Sequence, residues 1–268
     1  MDRKGGDPRL QSIEENRVKF VSLFAGIGGL DLGLERAGHE CVGQVELDDY
    51  ATRVLSKHWP DVPRIRDVRD FHGTEFGEFD LLVGGYPCQP FSVAGSRKGE
   101  RDERHLWPEV LRILRAVRPQ YLLVENVTGH LSLGFKRVLG DLAESGYDAE
   151  WDCIPAAAVG APHRRDRVFV VAWRRTTGRD EQQLGFASGD AHVSNANSKR
   201  REEQHPPSIT SATRHDSRRS ATARSYWAVE PNVGRVADGV PNRVDRLKAL
   251  GNAVVPQVAQ WIGMRLPQ

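Results

Sequence analysis

The stretch of this sequence that most narrows its possible folds is VKFVSLFAGIGGLDLGLERAG, residues 18–38. Residues 18–24 form an apolar run of strand length, AGIGG breaks it, and LDLGLERAG continues with apolar residues at helical spacing. A strand that passes through a glycine loop into a helix is the opening of a βαβ unit, and the chain repeats the rhythm. CVGQVEL (41–47) reads as a second strand, DDYATRVLSKHW as a helix opened by Asp48, and DLLVGGYP (80–87) as a third strand running into a glycine-proline loop. EVLRILRAVRP (109–119) has helical periodicity, YLLVENV (121–127) is a further buried strand, and YDAEWDCI (147–154) and RVFVVAW (167–173) supply two more. Strands alternating with helices predict a doubly wound α/β fold, Rossmann-like, on a parallel sheet.

Composition sets the limits of that reading. With 268 residues the chain has room for one large domain plus a small module. Its 28% charged and 39% hydrophobic residues exclude wholesale disorder, and no internal repeat is present. The expected organisation is a flexible leader at 1–17, a core at 18–173, a polar insertion at 174–231 and a segment at 232–268 that returns to the core. In the insertion apolar residues thin out in favour of Ser, Thr, Arg, Asn and Gln, too few to build much core of its own. Order returns after it, and from about Asp245 the chain reads as helix interrupted at NAVVP. No apolar run approaches the roughly 18 residues of a membrane span, and the start has no apolar stretch of signal-peptide type, so a cytoplasmic protein is expected. Cys41, Cys88 and Cys153 are too scattered for a disulfide framework, and no metal-ligand spacing occurs.

Three constellations carry chemistry. The glycines at 26, 28 and 29 sit where a strand hands over to a helix, so a ligand can approach the backbone and meet the helix N-terminus. Glu46 ends the next strand 20 positions after Gly26, where Rossmann-like sites hold ribose hydroxyls. A nucleoside ligand follows from that pair, with a tight turn and a solvent-facing Glu as the plain alternative. The pattern is neither GxGxxG nor GxxxxGK[ST], which argues against a nicotinamide dinucleotide or a nucleoside triphosphate. Asp67 could cap an adenine amino group or be a turn residue.

The second constellation is GGYPCQPFS (84–92), where Cys88 lies in a loop between two prolines after a strand. A thiol there opens onto the ligand crevice of a parallel sheet and suits covalent catalysis. Cys41 and Cys153 lie in strand-like runs and read as small buried hydrophobes. The third is Glu125 at the end of YLLVENV, expected at the same sheet edge, where burial would raise its pKa toward neutrality. Arg165 and Arg167 alternate where the next strand begins and should point the same way, able to hold an oxygen or a carboxylate, or simply to be solvated.

With FAGIGGLDLGLERAG, VELDDYA, GGYPCQPFS, ENV, APHRRDRVF and LGNAVVPQVAQWI in this order, the sequence resembles the cytosine-C5 DNA methyltransferases, particularly the short bacterial and phage-encoded kind, over about residues 18–173 and 232–265. The resemblance implies an S-adenosylmethionine-dependent methyltransferase fold with a small target-recognition insertion. It implies S-adenosylmethionine over the glycine loop, with Phe24 against the adenine and Gly26, Gly28 and Leu30 along the amino-acid part. Glu46 would serve the ribose, Asp67 and Val68 the adenine edge, Leu47 would be a further cofactor contact, and Pro87 and Asn252 would complete the pocket. Cys88 would add to C6 of a flipped cytosine, Glu125 would act at N3, Asn126 would hold the loop, Arg165 would sit near O2, and Arg167 would be a further catalytic residue.

SVAGSRKGERDERHLW (92–107) resembles the loop that closes over DNA in this family, making Ser92, Arg97, Lys98, Arg101 and Arg104 candidate DNA contacts. Because the net charge is only +2, electropositivity should be local to a DNA cleft. The family usually has Gln where this chain has His163, so a hydrogen bond there would be pH-sensitive or absent. The short insertion is expected to order only on DNA. Double-stranded DNA is the expected partner, with a restriction endonuclease as functional counterpart, no metal, no membrane, and a monomer. Rival readings are a tRNA cytosine-C5 methyltransferase and a noncatalytic DNA-binding relative. An amino-methyltransferase fits less well, because it would place a Pro-Pro-Tyr/Phe type motif where this chain has Pro-Cys-Gln.

Overall fold

The computed structural model describes residues 17–87, 106–132, 134–175 and 243–266. The leader, Cys88 with the loop to residue 105, and most of the polar insertion, with the ordering expected of it, lie outside these. Strands β1 (Lys19–Leu23), β2 (Glu40–Val45), β3 (Arg64–Ile65), β4 (Leu81–Gly84), β5 (Tyr121–Val127), β6 (Tyr147–Pro155) and β7 (Asp166–Arg174) form a seven-stranded sheet in the order β3-β2-β1-β4-β5-β7-β6. The first five pair in parallel. The fully parallel sheet expected from the strand-helix rhythm needs one correction, since β7 runs antiparallel to both β5 and β6. Its cause is the link from β6: residues 156–165, partly a 3₁₀ turn, fall short of the roughly dozen residues that a parallel crossover needs.

Side chains alternate along each strand and build a layer on each side of the sheet. Phe20, Leu81, Val83, Tyr121 and Leu123 pack against α1 (Gly29–Arg36) and a C-terminal helix described below. Their neighbours Val21, Leu23, Leu82, Leu122 and Val124 meet the opposite layer, in which α3 (Trp107–Val117) and α4 (Phe135–Glu144) contribute Val110, Ile113, Leu114, Val138 and Leu142. Before α3 in the chain, α2 (Asp49–His58) opens as expected on Asp48, whose carboxylate accepts from the backbone N–H groups of Tyr50 and Ala51. After the insertion come α5 (Arg243–Asn252) and α6 (Pro256–Gly263), the second being the helix on the Phe20 face.

Two glycines let that last helix close in. A Cβ on Gly29 would stand 2.4 Å from the Val254 carbonyl oxygen, and one on Gly33 would stand 2.3 Å from that of Pro256. Beneath the same loop the fully buried Asp31 accepts from Ser22 Oγ at 3.0 Å and Gln44 Nε2 at 2.7 Å, tying α1 to β1 and β2. Burial pushes its carboxyl above the usual range.

The chain runs outward from β1 to β2 and β3, then returns to β4 on the other side of β1. Ligands bind in doubly wound sheets at such a reversal, beyond the carboxyl ends of the strands. Here those ends lead into the glycine loop after β1 and into Gly85-Tyr86-Pro87 after β4.

Candidate active site

A cavity of about 570 Å³ opens at this reversal. One wall is the glycine loop, folded by three residues in the left-handed region: Phe24 (φ 52°), Gly26 (φ 57°) and Gly28 (φ 83°). Glu46 pins the bend from below, its Oε2 accepting from the Gly26 N–H at 2.6 Å while Oε1 accepts from the Asp48 N–H at 2.7 Å. Burial raises the Glu46 pKa against the pull of those two bonds. Each oxygen keeps a second lone pair for a ligand hydroxyl.

The opposite wall is the end of β5. Glu125 is only 8% exposed, and Gly85 makes room for it, since a Cβ there would stand 3.0 Å from Glu125 Oε2. Arg167, on β7, brings Nε to 2.9 Å from Oε1, yet that oxygen has no aligned hydrogen bond. Ion pairing without good alignment offsets burial only in part, so the carboxyl is pushed up to about 7, burial outweighing Arg167 and then Arg165. The next residue, Asn126, faces the other layer. It donates from Nδ2 to the Tyr86 carbonyl at 3.2 Å and accepts from the Val127 N–H at 2.9 Å, joining β5 to the loop that runs toward Cys88.

The cavity is lined by Phe24, Gly26, Leu30, Glu46, Leu47, Asp67, Val68, Pro87 and Asn252, together with Glu125, Asn126 and Arg167. Gly28 is not among its lining residues. A Cβ on Gly28 would meet the Trp59 ring at 2.4 Å, so packing and the left-handed backbone require the glycine there. Asp67 accepts from the Arg69 N–H and pairs with the Arg69 guanidinium at 2.6 Å, which serves the turn reading of this residue.

Arg165 departs from the strand alternation. It lies before β7 with φ 40°, in the left-handed region, and its guanidinium donates to the Ala253 carbonyl at 2.6 Å. Cys41 is buried and Cys153 half-buried. His163 is exposed in the loop before β7. Cys88, Ser92, Arg97, Lys98, Arg101 and Arg104 lie outside the described residues.

Sequence reasoning missed the contribution of α5 beyond Asn252. Asp245, Lys248 and Ala249 also line the cavity, and Lys248 Nζ lies 2.7 Å from Asp48 Oδ2 at the start of α2. The helix was legible from its pattern, but an ion pair spanning 200 positions leaves no local trace. Among the described residues no group of three or more His, Cys, Asp or Glu could hold a metal ion, and no helix is long and apolar enough to cross a membrane.

A Rossmann-like sheet with a cavity at its topological reversal and a carboxylate under its glycine loop places the chain among the doubly wound α/β folds. The family model for C-5 cytosine-specific DNA methylases matches residues 18–233, and the chain belongs to that family. It is 40% identical over 162 residues to the type II methyltransferase M.NgoMIV of Neisseria gonorrhoeae, an alignment covering 58% of this chain and 52% of the relative. To the type II methyltransferase M.HgiCII of Herpetosiphon aurantiacus it is 35% identical over 168 residues, covering 60% of this chain and 38% of the relative. The chain thus spans about half the length, or less, of these curated relatives. Among solved structures, one of a protein encoded within an E. coli prophage superposes with a TM-score of 0.51 at 26% identity, covering 59% of this chain and 47% of that one.

Proposed function

We propose that the protein transfers a methyl group from S-adenosylmethionine to C5 of a cytosine in a specific double-stranded DNA sequence. The observation that carries this reading is Glu125, a buried carboxyl pushed up to about 7 on the wall of the cavity that Glu46 and the glycine loop also line. A carboxylic acid kept partly protonated near neutral pH suits donation to a ring nitrogen.

The cavity fits the cofactor. Its glycine bend admits close backbone approach, Glu46 keeps acceptor capacity for ribose hydroxyls, and Phe24, Leu47 and Val68 offer apolar surface to an adenine. When bound, S-adenosylmethionine supplies an electrophilic methyl group. Cys88 would attack C6 of the cytosine as thiolate, forming the S–C6 bond and pushing electrons through the ring toward N3. Glu125 would deliver its proton there, so that no full negative charge accumulates, and the resulting enamine is nucleophilic at C5. Arg167 then faces a carboxylate rather than an acid, which the ion pair accommodates. After methylation a base removes the C5 proton, the S–C6 bond breaks to return Cys88 as thiolate, and N3 gives its proton back to Glu125. C5 and C6 are stacked within a duplex, so the target cytosine must leave the helix first.

In this reading Asn126 fixes the loop ahead of Cys88 through Tyr86, and Arg165 with Arg167 serves the pyrimidine side. The loop residues Ser92, Arg97, Lys98, Arg101 and Arg104 contact DNA, and residues 174–231 choose the sequence. A cytoplasmic monomer paired with a restriction endonuclease is the setting we propose. Transfer of labelled methyl groups to duplex DNA and to tRNA tests it. The expected result is label in DNA at C5 of cytosine, lost in Cys88→Ser while donor binding persists. Label in tRNA alone would move the protein to the RNA reading, and donor-independent DNA binding alone would make it a noncatalytic relative.

A further inference from the structure

Two buried polar side-chain groups beside the site, the Tyr86 hydroxyl and the His130 imidazole, have no role in the scheme above. Tyr86, two residues before Cys88, is 4% exposed, and His130 is 1% exposed. Tyr86 Oη and His130 Nε2 lie 2.7 Å apart, one donating to the other. The tyrosine ring also packs against Trp107, with centroids 5.4 Å apart, and edge-on against His130 at 5.6 Å. His130 sits in the 3₁₀ turn Thr128–Ser132 that continues β5 directly beyond Glu125 and Asn126. Phe135, at the start of α4, also stands edge-on to the His130 ring, with centroids 6.0 Å apart.

One residue of the loop is therefore held twice by one segment. Asn126 fixes the Tyr86 main chain through its carbonyl, and His130 fixes the Tyr86 side chain through its hydroxyl. A main-chain bond alone leaves the loop free to pivot about it, whereas a second point of attachment at the tip of a tyrosine removes that freedom. Both anchors belong to the stretch that also carries Glu125.

We propose that His130 and Tyr86 form a positioning pair that holds the chain leading into the Cys88 loop in register with the strand end that carries Glu125. This rests on the proposed roles of Cys88 and Glu125. Tyr86 lines the cavity, but its hydroxyl is taken up by His130, and the pair acts by keeping nucleophile and acid in register so that addition at C6 and protonation at N3 coincide. Misplacing a reacting group by about 1 Å can cost on the order of a hundredfold in rate.

The test is single-turnover methyl transfer to duplex DNA by the full chain, with donor and DNA affinities measured separately. Tyr86→Phe removes one oxygen and keeps the ring, so it should fold as the parent does. It is expected to slow the single-turnover step by about ten- to hundredfold, with both affinities held within about twofold. His130→Leu should do the same, the double variant should lose no more than either single one, and His130→Gln, whose amide can bond the hydroxyl, should recover most of the rate. A Tyr86→Phe rate equal to the parent's would overturn the proposal. So would a loss confined to donor affinity, or equal damage from His130→Gln and His130→Leu. A parent that methylates no cytosine would instead remove the reading of Cys88 and Glu125, and this assignment with it.

Discussion

Glu125 is the residue on which the chemistry turns, and its environment makes a stability prediction as well as a catalytic one. Its pKa stands at about 7 in the folded chain against 4.5 for the ordinary group, so the folded state holds a proton that the unfolded state has released between those values. The contribution is fully present below pH 4.5 and is lost as pH rises through about 7. At about 1.4 kcal/mol per pH unit the loss approaches roughly 3 kcal/mol by pH 8. Glu125→Gln cannot ionise, so relative to the parent it should gain stability on going from pH 5 to pH 8. Urea midpoints at the two pH values check this; equal slopes with pH would mean that Glu125 is not perturbed. The same variant should lose about a hundredfold or more of methyl transfer.

At the scale of elements, the packing of α6 on α1 is a backbone-to-backbone contact that only glycine permits. Gly33→Ala would place its Cβ 2.3 Å from the Pro256 carbonyl oxygen and 2.5 Å from the Ala259 Cβ. Overpacking of about 1–3 kcal/mol should outweigh the helix propensity that alanine gains over glycine. Gly140→Ala, in the exposed middle of α4 with nothing within 4 Å of the new Cβ, should stabilise by up to about 1 kcal/mol. Thermal or urea unfolding of both variants compares one chemical change with opposite expected signs, and like signs would refute the packing account.

The elements that were legible in the sequence share strong local grammar. β1 with its glycine loop, Asp48 capping α2, and the apolar faces of α3 and β5 all announce themselves within a few residues. α4 did not, because it begins on Gly134 in the left-handed region (φ 84°) with no side-chain cap to mark it. β3 has two residues, too few for any periodicity. The direction of β7 depends on the length of a link rather than on the strand's own composition. Within the site, Glu46, Glu125 and Asn126 could be found because each is a polar residue at or next to the end of an apolar strand. Lys248 against Asp48, the backbone turn at Arg165 and the bond from His130 to Tyr86 could not, since each joins distant segments.

For the molecule as a whole, the residues proposed to act on the cytosine lie within 18–173, while the segment proposed to choose the DNA sequence is the polar stretch 174–231. Near-neutral total charge, +2, leaves no general attraction for DNA, so selectivity must come from local contacts. Exchanging residues 174–231 for the corresponding stretch of a relative with another target should therefore change which cytosine is modified while the product stays 5-methylcytosine. Bisulfite sequencing of plasmid recovered from expressing cells reads both. An unchanged target would detach that segment from recognition, and a product other than C5 would contradict the role of the core.

The central claim is that Cys88 and Glu125 act together on C6 and N3 of one cytosine, and the most direct measurement is covalent capture. Duplex DNA carrying 5-fluorocytosine in many contexts is incubated with the protein and labelled S-adenosylmethionine and run under denaturing conditions, because fluorine at C5 blocks the final proton loss. The account predicts a stable protein–DNA band that carries the label, disappears in Cys88→Ala and forms far more slowly in Glu125→Gln. A band that persists in Cys88→Ala, or no band with any context, would contradict it.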